Sequence, residues 1–311
     1  MPHPTTLPVI IDCDPGTDDA FALLLAFASP EVDVRAVTVS GGNVPLTSTL
    51  RNALALHALA GACVPVFAGA DRPLLGTFTA EPRVHGPDGL HGIPLPPGGK
   101  PEPELASDAI RRVLREATEP VTLVGIAPVT NLALALVSEP ALAAKIARIV
   151  LMSGAWGEGN ITPSAEFNAF SDPEALQIIL NLGRPVVLAT LELTAQALAT
   201  PERLKRLRAV ASGTALRTLC DIQDRVPPSP RLGEIGAPLH DPCAVAWLLR
   251  PSLFTSRRCP ARVGLGPSPS RGRTVIDRWK RTAEPSNVTV LETLDADGFF
   301  ALLGERLSRL P

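Results

Sequence analysis

The sequence predicts an α/β protein with an open, mainly parallel sheet flanked by helices. Short apolar segments rich in β-branched residues alternate with longer segments of helical periodicity over the first two-thirds of the 311 residues. The apolar segments are nearly continuous, which is typical of strands that are buried on both faces of a parallel sheet. Ligands of such sheets bind beyond the carboxyl ends of the strands, and an acidic cluster directly follows the first predicted strand.

The predicted elements follow one another as strand–helix units. Six apolar segments are predicted as strands: Leu7–Ile11, Val32–Val39, Val64–Ala68, Val121–Val124, Ile146–Met152 and Pro185–Ala189. Five helices alternate with them: Asp18–Ala28, Leu46–Ala60, Leu105–Ala117, Asn131–Val137 and Asp172–Asn181. An Asp-Pro pair opens the last of these helices, which is a capping signal.

The end of the chain is less regular. It contains three strand-like segments and a closing helix: Ala261–Leu265, Thr274–Ile276, Val288–Leu291 and Asp295–Leu307. Residues 264–273 are expected to form an exposed hairpin tip. There is no internal repeat and no coiled-coil heptad pattern, so we expect a single domain over residues 1–311.

Three long connections interrupt the alternation: Gly69–Pro103, Ser153–Ser171 and Asp221–Leu239. The first and third are rich in proline, and the second follows directly on a predicted strand. Long connections in a compact domain are usually functional loops or lids. We therefore expect these three segments to be functional.

The composition indicates a soluble globular protein and excludes several classes of function. Hydrophobic residues make up 45% of the chain and the net charge is −2, which is no signature of polyanion binding. The basic stretch Arg257–Arg281 contains one aromatic residue, Trp279, so we expect a solvated surface and no nucleic-acid partner. We find no signal peptide and no apolar stretch of the ~18 residues that a membrane span needs, and expect no membrane partner. The five cysteines are scattered and odd in number, which favours a cytoplasmic location over a disulfide framework or a zinc site.

The most informative motif is the acidic cluster after the first predicted strand. It reads Asp12-Cys-Asp14-Pro-Gly-Thr-Asp18-Asp19, with four carboxylates in eight residues and a Pro-Gly pair that forces a turn. Carboxylates this close repel one another strongly at the dielectric of a cleft. A hard cation among them removes that repulsion. The cluster therefore predicts half of a metal site at the end of a strand.

Other interpretations of the cluster are weaker. A helix N-cap needs only one Asp. An EF-hand loop needs Gly at its sixth place and Glu at its twelfth, where this chain has Thr17 and Leu23. A phosphatase of the haloacid-dehalogenase type also begins with a strand and Asp-x-Asp, but normally has Thr or Val where this chain has Gly16. The phosphatase remains an alternative function.

Polar residues also follow two other predicted strands. Asn43 ends the segment Ser-Gly-Gly-Asn, for which a simple turn is an alternative interpretation. Asn160, Glu166 and Asn168 lie in the loop after the fifth predicted strand. Their amide and carboxylate groups suit the recognition of sugar hydroxyls, although a hydrophilic surface loop explains this stretch equally well.

The last motif is His240-Asp241-Pro242, which opens a predicted helix. Asp241 is either an N-cap with Pro at the first helical position or another carboxylate ligand. His240 is a candidate proton donor.

Taken together and in this order, these segments resemble the nucleoside hydrolase family of the inosine–uridine-preferring type. Residues 12–19 match that family's N-terminal signature, Asp-x-Asp-Pro-Gly-x-Asp-Asp, in full. Further matches are Gly42-Asn43, Thr130–Ala133, Val150–Met152, Glu158–Asn160, Ala165–Asn168, Asp172–Ala175 and His240–Ala244. The resemblance covers almost the whole chain and implies a Rossmann-like nucleoside hydrolase fold.

The resemblance implies a tightly held Ca²⁺. Its ligands would be the side chains of Asp14, Asp19 and Asp241 and the backbone carbonyl of Ile126, a position where the family often has Thr. The cation would also hold the ribose 2′- and 3′-hydroxyls and one water, and Asp14 would be the general base toward that water. A homodimer or homotetramer is suggested on the same basis.

The resemblance also implies the residues that bind the substrate. Those that would hold ribose hydroxyls are Asp18, Asn160, Glu166 and Asn168. Met152 would pack near the sugar, and Asn43 would lie close to the metal and the water. His240 would be catalytic as the proton donor beside the leaving base.

The implied reaction is Ca²⁺-dependent hydrolysis of the N-glycosidic bond of ribonucleosides to free base and ribose, for nucleoside salvage. Such a cleavage passes through an oxocarbenium-like state, which needs negative charge near the ribose and a positioned water. A non-catalytic, Ca²⁺-dependent nucleoside- or sugar-binding protein is a second alternative, and the intact Asp14 argues against it.

The chain departs from the family in one respect that concerns the base. It contains no Tyr, whereas family members commonly carry tyrosines before the His-Asp-Pro motif that contact or protonate the base. The polar candidates that remain are Gln223, Asp224, Arg225 and His240. Preference for purine or pyrimidine therefore stays open.

Overall fold

The computed structural model describes residues 6–311 and has twelve strands in that range. Numbered in chain order, they are β1 (Leu7–Cys13), β2 (Val32–Val39), β3 (Val66–Ala68), β4 (Val121–Gly125), β5 (Ile146–Met152), β6 (Val186–Ala189), β7 (Leu198–Ala199), β8 (Ala237–Pro238), β9 (Phe254–Cys259), β10 (Ala261–Val263), β11 (Thr274–Ile276) and β12 (Val288–Leu294). Eight of them form the central sheet in the order β3-β2-β1-β4-β5-β6-β12-β9. All neighbours in this sheet are parallel except β12 and β9, which confirms the predicted fold class.

Twelve α-helices cover the sheet in the described part of the chain. They are α1 (Thr17–Phe27), α2 (Leu46–Ala60), α3 (Pro82–His85), α4 (Ala106–Glu116), α5 (Thr130–Ser138), α6 (Phe167–Ser171), α7 (Pro173–Leu180), α8 (Leu191–Thr194), α9 (Pro201–Val210), α10 (Thr214–Gln223), α11 (Pro242–Leu249) and α12 (Ala296–Leu307). Short 3-10 turns lie at Pro140–Lys145, Pro230–Leu232 and Pro251–Leu253. Within residues 6–311 no helix combines the length and the apolar character that a membrane crossing requires.

The strand order reverses beside β1. From β1 the chain first builds outward to β2 and β3, and it then returns to the other side of β1 to add β4, β5 and β6. Such a reversal opens a crevice at the carboxyl ends of the two strands that flank it, here β1 and β4. The acidic cluster begins at Asp12 in β1 and therefore lies at this crevice.

Two apolar clusters pack on opposite faces of the sheet. In β1, Ile11 belongs to the cluster under α1, α2 and α10 to α12, while Ile10 belongs to the cluster under α4, α5 and α7. Both side chains are buried. Consecutive strand residues point to opposite faces, so the continuous apolar run of this strand is explained by helices on both sides.

The tail of the chain agrees with the prediction in its hairpin and differs from it in its edge strand. The strands Ala261–Val263 and Thr274–Ile276 pair with each other as a separate antiparallel hairpin, whereas β12 joins the central sheet beside β6. The edge strand β9 was not predicted, because its Thr-Ser-Arg-Arg centre is exposed and lacks an apolar pattern.

The region between β6 and the third long connection also differs. Helix α9 was not predicted because only Leu204 and Leu207 of its ten residues are buried. Helix α10 ends at Gln223, so the first residues assigned to the third long connection are helical. The other two connections contain the short helices α3 and α6, which depend on tertiary contacts because so short a helix has no stability of its own.

Candidate active site and metal centre

The loop after β1 folds back so that its carboxylates accept hydrogen bonds from its own backbone. Asp19 accepts from the Asp14 N–H at 3.1 Å and from the Gly16 N–H at 3.0 Å. Asp19 occupies the first turn of α1, where the exposed N–H groups of a helix start favour a carboxylate. Asp14 and Asp19 are fully buried.

Asn43 joins this loop from the end of β2. Its N–H donates to Asp14 Oδ2 at 2.7 Å, and its side-chain amide donates to the Asp14 carbonyl at 3.2 Å and to Asp19 Oδ2 at 3.1 Å. A side chain at Gly42 would collide with Asp14 Oδ2, because an added Cβ would lie 2.0 Å from it. The Gly-Gly-Asn segment is therefore required by close packing against Asp14, as well as being a turn.

The His-Asp-Pro motif arrives from the other end of the chain. Asp18 Oδ2 accepts from the backbone N–H groups of His240 at 3.2 Å and Asp241 at 3.4 Å. Asp241 stands at the N-cap position of α11, but its side chain makes no capping hydrogen bond. Its buried carboxylate is therefore available to the acidic cluster, which favours the ligand interpretation over the cap.

Burial and mutual repulsion raise the pKa values of Asp14, Asp19 and Asp241. Burial and the Asp18 charge raise the pKa of Asp19 to about 7. Burial, and after it the charge of Asp19, raises the pKa of Asp14 well above its usual range. For Asp241 the pKa is also raised, by burial and then by Asp18, Asp19 and Asp14. Ionised carboxylates cannot share a dry site without a compensating positive charge.

The donor set fits a hard cation. Among residues 6–311, Asp18, Asp19 and Asp241 each offer an oxygen within 4.8 Å of the others. The Asp14 Oδ1 atom is buried and has no hydrogen-bond partner, and a buried polar atom of this kind needs an explanation such as an ion. All these donors are oxygens, which is the ligand type of Ca²⁺ and Mg²⁺.

This grouping differs in part from the expected ligands. Asp19 and Asp241 are in it, Asp18 is there in place of Asp14, and Asp14 lies beside the group through its contact with Asp19. The Ile126 carbonyl lies just beyond β4, the neighbour of β1, and accepts the Asn168 side-chain amide at 3.3 Å.

On the other side of the crevice, the loop after β5 carries buried polar groups. Glu166 accepts from the N–H groups of Gly154 at 2.8 Å, Asn168 at 2.8 Å and Ala169 at 3.0 Å, so it is also the N-cap of α6. Burial raises the pKa of Glu166 despite these bonds. The Asn168 amide donates to the Met152 carbonyl at 3.1 Å, and all three side chains are buried.

Asn160 takes a different position from its expected partners. It is exposed, and its Oδ1 accepts the Phe167 N–H at 2.9 Å. This contact holds the loop beside Glu166 and Asn168, but it does not bring Asn160 into the buried carboxylate cluster.

Two histidines lie beside the cluster. His240 is partly buried, and its Nδ1 lies 2.6 Å from the Thr194 hydroxyl. His85, which was not identified from the sequence, is buried in α3 and accepts the Thr17 N–H on Nδ1 at 3.2 Å. Burial lowers the pKa of both rings, so both are neutral near pH 7. No motif marks His85, because the long first connection brings it back to Gly16 only in the folded chain.

The other polar candidates near the base are bound elsewhere. The Gln223 amide is buried and donates to the Ala237 carbonyl at 3.3 Å. Asp224 pairs with Arg208 at 2.6 Å, and Arg225 donates to the His91 carbonyl at 2.7 Å. These three side chains therefore support the loops around the crevice.

The remaining carboxylate of the motif, Asp12, is structural in this geometry. Its Oδ1 accepts from the Thr38 hydroxyl at 2.7 Å and from the Asn131 amide at 2.8 Å. Burial raises its pKa to about 7, against the effect of these two bonds. Asp12 thus ties β1 to β2 and to the start of α5.

The sheet topology and the buried carboxylates together describe an α/β protein with a candidate metal-binding site at the strand reversal. The inosine-uridine preferring nucleoside hydrolase family matches residues 9–301, and the chain belongs to this family. It is therefore an N-glycosidase of a metal-dependent family, and neither the phosphatase nor the non-catalytic alternative is retained.

Individual relatives and solved structures agree with this assignment. The chain is 45% identical to a pyrimidine-specific ribonucleoside hydrolase RihA of Escherichia coli, over 97% of this chain and 98% of the relative. It is 31% identical to the structure of a purine-preferring ribonucleoside hydrolase from Gardnerella vaginalis, with a TM-score of 0.89 over 97% of this chain and 98% of that one. A plant nucleoside hydrolase is 32% identical, with a TM-score of 0.87 over 97% and 99% of the two chains.

Proposed function

We propose that this protein hydrolyses pyrimidine ribonucleosides to free base and ribose with the help of Ca²⁺. The observation that carries the proposal is the buried, all-oxygen cluster at the strand reversal, in which Asp14 Oδ1 has no partner. The pyrimidine preference rests on identity: the relatives at 45% are pyrimidine-specific, whereas the purine-preferring hydrolase is 31% identical.

The proposed ligands of the cation are Asp14, Asp19, Asp241 and the Ile126 carbonyl. Support comes from the burial of all three carboxylates and from their raised pKa values, which a divalent charge would bring down. Asp18 is the competing ligand, since its carboxylate lies in the same group. When bound, Ca²⁺ would supply positive charge, and it would hold a water and the ribose 2′- and 3′-hydroxyls.

Asp14 is the proposed general base. Asn43 holds its Oδ2 at 2.7 Å, which fixes the orientation of the carboxylate and leaves Oδ1 free to take a proton from water. Asn43 thus acts by orienting the base next to the metal. A fixed carboxylate beside the ribose also stabilises the positive charge that develops as the N-glycosidic bond breaks.

The proposed ribose contacts come from the opposite wall. Glu166 and Asn168 are held by backbone bonds in a buried loop, with Met152 beneath them. Asp18 would contact a hydroxyl from the α1 side, and the exposed Asn160 would reach the sugar from the loop surface. Such preorganised hydrogen-bonding groups favour a hydroxyl-bearing sugar over its deoxy analogue.

His240 is the proposed proton donor to the leaving base. Its Nδ1 is occupied by Thr194, which leaves Nε2 for the substrate. His85 lies close enough to His240 for the charge of His240 to contribute to the lowered pKa of His85, after the larger effect of burial. The base side thus offers two imidazoles in a chain that has no tyrosine.

The substrate panel that tests this function contains uridine, cytidine, inosine and adenosine, with ribose release measured by a reducing-sugar assay. Uridine and cytidine should be the best substrates. Faster hydrolysis of inosine would overturn the pyrimidine preference but not the reaction, and no ribose from any of the four would overturn the reaction.

Three further proposals concern the whole protein. We propose one domain over residues 1–311, because β1 and β12, from opposite ends of the chain, lie in the same sheet. A homodimer or homotetramer is proposed from the membership of the family, and light scattering tests it. The cytoplasmic location rests on five cysteines without disulfides in residues 6–311, and cell fractionation tests it.

A further inference from the structure

The hairpin β10–β11 lies against the loop that carries the proposed ribose contacts. The hairpin and the loop are far apart in the sequence, and the hairpin stands outside the central sheet. Four of its residues, Ala261, Val263, Gly272 and Thr274, are buried. A small antiparallel hairpin has little stability of its own, so its contacts with the rest of the molecule determine what it does.

Thr274 makes the most specific of these contacts. Its hydroxyl accepts the Ala155 N–H at 2.7 Å and donates to the Ala155 carbonyl at 2.7 Å. Thr274 is 2% exposed, so no water can replace either bond. Ala155 is the third residue after β5, at the start of the loop that carries the proposed ribose contacts.

The residue next to Ala155 in the chain, Gly154, binds Glu166 directly. The Gly154 N–H donates to Glu166 Oε2 at 2.8 Å, and the Gly154 carbonyl accepts from the Leu191 N–H at 3.0 Å. Gly154 has a φ of +85°, and an added Cβ would lie 2.7 Å from the Thr274 side chain. Thr274 therefore packs on the backbone turn that presents a hydrogen-bond donor to Glu166.

Other contacts attach the rest of the hairpin to the same segment. The Ser164 hydroxyl donates to the Pro269 carbonyl at 2.8 Å. Arg271 forms two bonds of 2.8 Å with the two carboxylate oxygens of Glu174, just beyond the loop in α7. The hairpin thus holds the loop at its beginning, its middle and its end.

We propose that Thr274 is a positioning residue for ribose recognition. It acts by fixing the backbone of Gly154 and Ala155 under Glu166. This inference rests on the proposed ribose contacts of Glu166 and Asn168. Removal of the hydroxyl leaves a buried N–H and carbonyl of Ala155 without partners. The turn then relaxes, and Glu166 and Asn168 lose their alignment with the sugar.

The test compares Thr274→Val, which keeps the shape and removes the hydroxyl, with Thr274→Ser, which keeps the hydroxyl. Thr255→Val is the matched control. Thr255 lies on the edge strand β9, and its exposed hydroxyl pairs with that of Thr293 on β12. For each variant, kcat/KM is measured with uridine and with 2′-deoxyuridine, the slow substrate under single-turnover conditions with enzyme in excess.

Thr274→Val should lower kcat/KM for uridine by about 10- to 100-fold, the scale of a ~1 Å misplacement, and lower that for 2′-deoxyuridine less. The ratio of the two values should therefore contract in Thr274→Val and return in Thr274→Ser. Thr255→Val should stay within about twofold of wild type. Equal losses on both substrates, or an unchanged ratio, would overturn the positioning role.

Failure of the proposed function gives a different result. If the wild-type protein releases base from neither substrate, the proposed reaction fails. If it releases base equally from both, the ribose assignment fails. If Thr274→Val yields no folded protein, Ser164→Ala replaces it, because that side chain is at the surface and its loss removes one attachment. A smaller contraction of the ratio is then expected, and an unchanged ratio in Ser164→Ala would overturn the inference.

Discussion

The carboxylate side of the site and its base side differ in how their side chains are held. Asp14 directly follows a central strand and accepts one backbone N–H at 2.7 Å. Asp19, in the first turn of α1, accepts two backbone N–H groups within 3.1 Å. His240 on the base side is held by one hydroxyl contact from Thr194. Asp224 and Arg225, the polar candidates of the preceding segment, bind Arg208 and the His91 carbonyl instead.

The two sides should therefore differ in how well they tolerate substitution. The carboxylate side is positioned by the strand order of the central sheet. The base side is formed by loops, which tolerate substitution. The absence of Tyr from this chain therefore leaves the buried carboxylate cluster unchanged. Changes on the carboxylate and ribose side should have the larger effects.

The largest effect is expected from the substrate itself. A site built to pair a hydroxyl rejects the analogue that lacks it by up to ~10⁴–10⁵, and the buried Glu166 and Asn168 are built in this way. We expect 2′-deoxyuridine to fall by that order in kcat/KM relative to uridine. A modification on the base, such as 5-methyluridine, is the control and should cost far less. Comparable values for uridine and 2′-deoxyuridine would mean that the ribose contacts are misplaced.

The next effect concerns the base that activates water. Asp14→Asn keeps an oxygen at the metal but cannot accept a proton, and loss of a general base costs ~10²–10⁴ in rate. We expect kcat to fall by that much while calcium, measured by titration calorimetry, still binds. Asp18→Asn is the matched comparison, because Asp18 is the competing ligand. A near-normal kcat for Asp14→Asn would remove Asp14 from the mechanism.

Metal removal should lower stability as well as activity. The ligands come from both ends of the chain, and a ligand at a hundred to a thousand times its Kd stabilises by ~3–4 kcal/mol. Exhaustive chelation should lower Tm in differential scanning fluorimetry, and Ca²⁺ should restore Tm and activity together. Full activity in verified metal-free protein would exclude the cation from the mechanism.

The size of this metal effect should depend on pH. The pKa of Asp19 is raised from 3.8 to about 7 without a cation. A raised carboxyl pKa contributes stability that is present below the unfolded value and is lost as pH rises through the folded value. Metal-free protein should therefore lose stability between about pH 4 and 7, and the Tm gain from Ca²⁺ should be larger at pH 8 than at pH 5. A constant gain across this range would show that these carboxylates are not the metal ligands.

The contrast between the two sides also explains what the sequence could predict. The central sheet and the position of the octapeptide at the end of β1 depend on local pattern and on strand order, and both are visible in the sequence. His85 depends on how a long connection folds back, for which no local pattern exists. The role of Thr274 was invisible for the same reason, since its partner Ala155 is 119 residues away.

The smallest effect concerns the leaving base, and it tests whether the base side supplies a proton. His240→Ala should reduce kcat for uridine at least about tenfold more than kcat for p-nitrophenyl riboside, whose leaving group needs no proton. Burial lowers the pKa of His240 below its ordinary 6.5. If the protonated ring is the donor, the alkaline limb of the uridine profile should fall below that pH. Thr194→Val is the control, since it removes the contact with Nδ1 and keeps the imidazole. Equal losses of His240→Ala on both substrates would reduce His240 to a wall of the pocket. The proton would then have to come from His85, the second neutral imidazole at the crevice, and His85→Ala should show the substrate difference instead.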